Sequence, residues 1–139
     1  MRRYLPLVAA LLSSSAAMAQ VPKEQLAQPP ANARHFEIRS TGGKHGDSWI
    51  WTAPDGTLMA RESMNLRGQV FELDSAGKAD AKGMPLALTV RGVTPTGDAG
   101  ESFTRTGASA SWKSQVDAGS SDKAEGAFYN PLNGPMGLN

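Results

Sequence analysis

The chain has 139 residues, with 14 Lys plus Arg against 13 Asp plus Glu, two His and no Cys. That length gives room for one domain, and the missing cysteines exclude a disulfide framework, a thiol nucleophile and any zinc site built on Cys. A net charge of +1 offers no basic footprint for nucleic acid, and two histidines are too few for most three-ligand catalytic zinc sites unless carboxylates fill in.

Residues 1–19 read as a signal peptide. Arg2 and Arg3 form a positive n-region, Leu5 to Leu12 a short apolar h-region, and Ala17-Met18-Ala19 the A-x-A motif that places cleavage before Gln20. The apolar run reaches about half of the roughly 20 residues that span a bilayer, so the membrane is met only in transit. No cysteine follows to carry a lipid anchor. Cleavage between Ala19 and Gln20 leaves 120 residues with 12 cations against 13 anions, a net charge of −1. The expected destination is the bacterial periplasm or the medium, where disulfides are permitted and not required.

Residues 20–33 read as a flexible leader, Pro- and Gln-rich, with only Val21 and Leu26 as sizeable apolar residues. A helical turn over Lys23–Gln28 is allowed and Pro29-Pro30 ends it. From Arg34 the pattern changes to period two. Phe36 and Ile38 alternate with Glu37 and Arg39 as a half-buried strand. Residues 41–46 then read as a Gly-rich connection, residues 48–52 (SWIWT) as a β-prone run, and Pro54-Asp55-Gly56 as a turn.

Leu58, Ala60 and Met64 mark the next strand, Phe71 and Leu73 another. Residues 75–83 read as a polar loop. Leu86, Leu88 and Val90 point one way from the clearest strand, residues 85–93. After a loop over 94–100 come short strands around Phe103 and around Ala110, Trp112 and Val116. Residues 117–123 read as loop, and 126–129 (GAFY) as a last aromatic strand. Seven or eight short strands at near-even spacing predict an all-β domain over 34–130, an antiparallel meander or partly open barrel. Residues 131–139 read as a loop-like tail, the expected junction with a further domain.

No catalytic motif emerges. Gly42-Gly43-Lys44-His45-Gly46 lacks the Gly-Lys-Ser/Thr order and the following helix of a phosphate loop. His35 and His45 match no metal-ligand spacing. No carboxylate pair is forced together locally, and there is no Gly-x-Ser-x-Gly elbow. Trp49 and Trp51, two apart, share a face. With Lys44 and His45 they form one candidate contact surface, for a freestanding ligand-binding module. The alternative for the tryptophans is packing, the usual fate of large aromatics.

The features from Arg34 onward resemble the N-terminal β domain of exported bacterial amidohydrolases of the imidazolonepropionase-like branch. The matching residues are Asp55-Gly56, residues 71–74 (FELD), 83–88 (GMPLAL) and Gly92. Residues 110–114 (ASWKS) and 127–129 (AFY) running into 132–135 (LNGP) complete them. The resemblance covers residues 34–136. It implies a non-catalytic domain that docks and stabilises a metal-dependent barrel carried by the same polypeptide. Zinc or another divalent metal belongs to that barrel; this chain has no His-x-His and no histidine after His45, so it holds no cofactor. Phe128 and Tyr129 are then expected at the junction with the barrel. Self-association is the expected substitute when the barrel is missing.

Overall fold

The computed structural model describes residues 20–134. The signal-peptide motif at Ala17 and Ala19 lies outside the described residues, and Gln20 begins them, exposed. Nine strands form one sheet: β1 Arg34–Ser40, β2 Gly43–Thr52, β3 Leu58–Leu66, β4 Gln69–Ala79, β5 Pro85–Thr94, β6 Gly97–Asp98, β7 Glu101–Thr106, β8 Ser109–Lys113 and β9 Ala118–Ser121. Every pairing is antiparallel, and the order β1-β2-β3-β4-β5-β7-β8-β9 follows the chain, with β6 hooked onto β5. The sheet is an open meander, not closed into a barrel. Short connections between like-twisted neighbours make this the simplest pairing for consecutive strands.

The two faces are unlike. One row runs Arg34, Ile50, Ala60, Ser75, Val90 and Glu101 across six strands in register. Leu73, Leu88, Phe103, Ala110 and Trp112 lie on that same apolar face. Ala60, Leu73, Val90 and Phe103 are buried there, and so is Ser75, whose hydroxyl has no partner among the described residues. The neighbouring row, on the opposite face, runs His35, Trp49, Arg61, Asp74 and Arg91. Gly92 is needed where β5 crosses β4: its φ is +121°, and a Cβ there would stand 1.9 Å from the Glu72 carbonyl oxygen.

Several strands run longer than their sequence suggested. The Gly-rich connection shrinks to the two-residue turn Thr41-Gly42, and Gly43 to Gly46 belong to β2. The pairing shifts by one residue at Ile38/Arg39, so Lys44 faces Arg39 and Ile38 faces Gly46, a bulge that absorbs His45. Ser75 to Ala79 extend β4, because small side chains fit between Leu58–Ala60 on one side and Ala87–Val90 on the other. Residues 118–121, read as loop, are β9. Residues 126–129, read as a strand, are instead part of an irregular strap laid over the apolar face.

The leader also departs from expectation. A single 3-10 turn, Lys23–Gln25, sets Leu26 down on the protein at 3% exposure. The Ala27 N–H donates to Asp74 Oδ2 at 2.6 Å, and Lys23 Nζ lies 3.1 Å from Glu72 Oε1. The segment expected to be flexible and to bury little is held by a buried leucine and two carboxylates of β4. Leu26→Ala is expected to cost about 2–3 kcal/mol, the low end for a buried leucine, read as a lower urea midpoint at unchanged slope. An unchanged midpoint would show that the leader contributes nothing to the fold.

Candidate docking face

The face opposite the apolar one is a ladder of ion pairs. Arg61, buried, donates to the carbonyls of Glu62 and Leu73 and to the Glu72 carboxylate, which also accepts from Ser63 Oγ at 2.7 Å. Arg91 grips Asp74 with two nitrogens. Burial alone raises the pKa of Glu72, but Arg61, Ser63 and Lys23 together hold it below its ordinary 4.5. A carboxyl with a depressed folded pKa contributes stability that is complete above its ordinary value and is lost as pH falls through the folded value. Urea midpoints should therefore fall on acidification below about pH 4.5. Glu72→Gln should flatten that fall and cost stability at neutral pH, because it leaves Arg61 buried and uncompensated. An equal acid response in both proteins would contradict this.

Of the residues singled out as one contact surface, Lys44 is linked to Trp49 through Asp47 and His35, whereas His45 pairs with Ser40. Lys44 Nζ is occupied by Asp47 Oδ1 at 2.7 Å and Glu37 Oε1 at 3.3 Å. His45 Nε2 pairs with Ser40 Oγ at 2.6 Å. Trp49 stacks on His35, centroids 5.2 Å apart, and His35 Nε2 in turn meets Asp47 Oδ1 at 2.6 Å. Trp49 and Trp51 do share a face, half-buried, but it is the charged face. Phe128 and Tyr129 lie over the other side of the sheet. Among the described residues, no three of His, Cys, Asp and Glu converge to hold a metal ion.

What the apolar face holds instead is a strap, Asp122 to Gly134, tied down at Ala124 by the Ala108 carbonyl and at Tyr129–Asn133 by one side chain. Glu101 is 2% exposed. Its carboxylate accepts the Tyr129 hydroxyl, the Leu132 N–H at 2.9 Å and the Asn133 N–H at 3.4 Å. Tyr129 stacks on Phe103 with centroids 4.5 Å apart, and Ala124 is buried against Phe103 and Ala110. Leu88 and Trp112 pack at the margin of the same cluster. The strap leaves Phe128 at 67% and Leu132 at 58% exposure. Beside Phe128 lies a cleft of about 180 Å³ walled by Leu58, Gly77, Leu88, Phe128, Tyr129 and Pro131.

Sequence reasoning did not find Glu101, because its partners lie 28 to 32 residues away. The only local signal was a carboxylate two positions before Phe103, on the same side of a strand. No protein-family model, curated protein or solved structure matches the chain.

Burial raises the pKa of the Tyr129 phenol, and the Glu101 carboxylate beside it adds to the rise. The chain from Gln20 onward has this one tyrosine, so an ultraviolet titration reads it directly. Ionisation is expected well above the ordinary 10.0 in the folded protein and near it in denaturant. A folded-state titration at the ordinary value would show that the phenol is free of Glu101.

Proposed function

We propose that this chain is a non-catalytic β domain that docks and stabilises a catalytic barrel of the same polypeptide, in an exported, metal-dependent amidohydrolase. The observation that carries the docking reading is the Glu101-anchored strap. It leaves Phe128 and Leu132 exposed, and Phe128 joins the half-exposed Leu58 in walling one apolar cleft. Rigid apolar anchors beside a preformed cleft are what an interface core uses. An exposed apolar patch rimmed by polar residues marks an interaction site.

The sequence resemblance supplies the identity of the barrel and its divalent metal. The A-x-A motif before Gln20 supports export to the periplasm. The Lys44–His45–Trp49–Trp51 surface supports the rival reading of a freestanding ligand-binding module less well. Its cation and imidazole are engaged by neighbours within the sheet.

The test uses the chain from Gln20 onward and a separately produced amidohydrolase barrel. The domain is expected to bind a hydrophobic dye, and adding the barrel should suppress the signal. Phe128→Asp and Leu132→Asp should each weaken the complex at least tenfold, about 1.4 kcal/mol, with the sheet intact by circular dichroism. A dye-silent domain, or a complex indifferent to both substitutions, would refute the docking face.

A further inference from the structure

The two outer strands of the sheet meet solvent differently. β1 carries Arg34, His35, Glu37 and Arg39, with Lys44 beside them. Long charged side chains of this kind keep a sheet edge from pairing with another chain. β9 is Ala118-Gly119-Ser120-Ser121, without charge or proline and with no side chain larger than serine.

The hydrogen-bond alternation of β8 and β9 is set at their turn, where the Ser114 N–H donates to the Asp117 carbonyl at 2.7 Å. Counting from that bonded pair, Trp112 and Gly119 form the next one. Ala118 and Ser120 therefore turn their main-chain N–H and C=O groups away from β8, toward the open side. Both residues are exposed. Among the described residues, the chain beyond β9 does not return to cover them. The Ala124 N–H bonds back to the Ala108 carbonyl, and the strap continues over the apolar face.

Trp112 makes this edge more than a row of free amides. Its ring lies across Gly119, where a Cβ would stand 2.5 Å from Cζ2 and 2.9 Å from Cε2. Asp117 Oδ2 accepts its Nε1–H at 2.8 Å and keeps the indole there. A half-buried aromatic is thus carried out over the last strand of the sheet.

We propose that β9 is a self-pairing edge, at which two copies of this chain join β9 to β9 antiparallel. The two-fold axis passes between Gly119 and Gly119 of the second copy. Ala118 of each copy then faces Ser120 of the other as a bonded pair, and the sheet runs on across the dimer. No like charges meet along β9, whereas two β1 edges brought together would set charged side chains against one another. The two Trp112 rings lie near the axis, over a floor made by two glycines, so apolar area adds to the main-chain bonds. This is an isologous contact, closed by its own symmetry. It is also small. One short strand and one ring per copy fall well below the roughly 1,600 Å² of a standard interface. The expected dissociation constant lies between about 10 μM and 1 mM.

Sedimentation of the chain from Gln20 onward, at rising concentration, reads the dimer. The parent and Ser120→Thr should both dimerise below about 1 mM. Ser120→Pro removes an outward N–H, and Ser120→Lys brings two like charges to diagonal positions on one face across the two-fold axis. Both should remain monomeric, with circular dichroism and urea midpoint unchanged for the lysine variant. Leu132→Asp, on the docking face, should keep the dimer. A parent that stays monomeric at about 1 mM overturns the proposal. So does a dimer that survives both Ser120→Pro and Ser120→Lys, or one that Leu132→Asp abolishes.

Discussion

A carboxylate on the apolar face of an open sheet is the constraint that organises the rest of this molecule. Glu101 ends the row that begins at Arg34 and passes through Ala60, Ser75 and Val90, and it is as buried as they are. A charged group there is costly unless its oxygens are filled by donors. The donors come from the strap: one phenol and two consecutive main-chain amides. Satisfying Glu101 therefore fixes the path of a segment with no secondary structure of its own. That path lays Tyr129 on Phe103 and leaves Phe128 and Leu132 facing outward.

The opposite face solves a similar problem with other means. Asp74 is buried, yet it takes Arg91 on one side and the Ala27 amide of the leader on the other. Glu72 takes Arg61, Ser63 and Lys23. The leader thus rests on the charged face and the strap on the apolar face, each tied to a buried carboxylate. Such pairs add less net stability than their number suggests, because desolvation offsets much of the Coulombic gain, while breaking one is costly. Their effect here is positional. They decide where two irregular segments lie on a sheet that does not close on itself.

The all-β meander was legible because period-two patterning is strong in the strands that carry it. Leu86, Leu88 and Val90 share the apolar face, as do Phe71 with Leu73 and Leu58 with Ala60. The lengths of the strands were not legible. Ser75 to Ala79 and Ala118 to Ser121 have the composition of loops, and it is their neighbours on the sheet that hold them extended, a case of context overriding propensity. The aromatic run at 126–129 shows the converse: Phe128 and Tyr129 have strand propensity, but stacking on Phe103 and the bond to Glu101 draw Tyr129 across the sheet. The neighbours of the candidate contact surface were not legible either: a bulge near His45 and ion pairs of Lys44 with Asp47 and Glu37 draw Lys44 and His45 into β2. The pairing of Glu101 with Leu132 and Asn133 leaves no periodic trace, because it joins a strand to an irregular segment far along the chain.

Amide hydrogen exchange at Leu132 and Asn133, followed in the parent and in Glu101→Ala, tests this account most directly. In the parent both amides should exchange far more slowly than an unprotected amide, because a buried carboxylate holds them. In Glu101→Ala that protection should vanish, while the amides of β3, β4 and β5 keep theirs. Fast exchange at Leu132 and Asn133 in the parent, or protection that survives the loss of Glu101, would contradict the claim that this one carboxylate holds the strap over the apolar face.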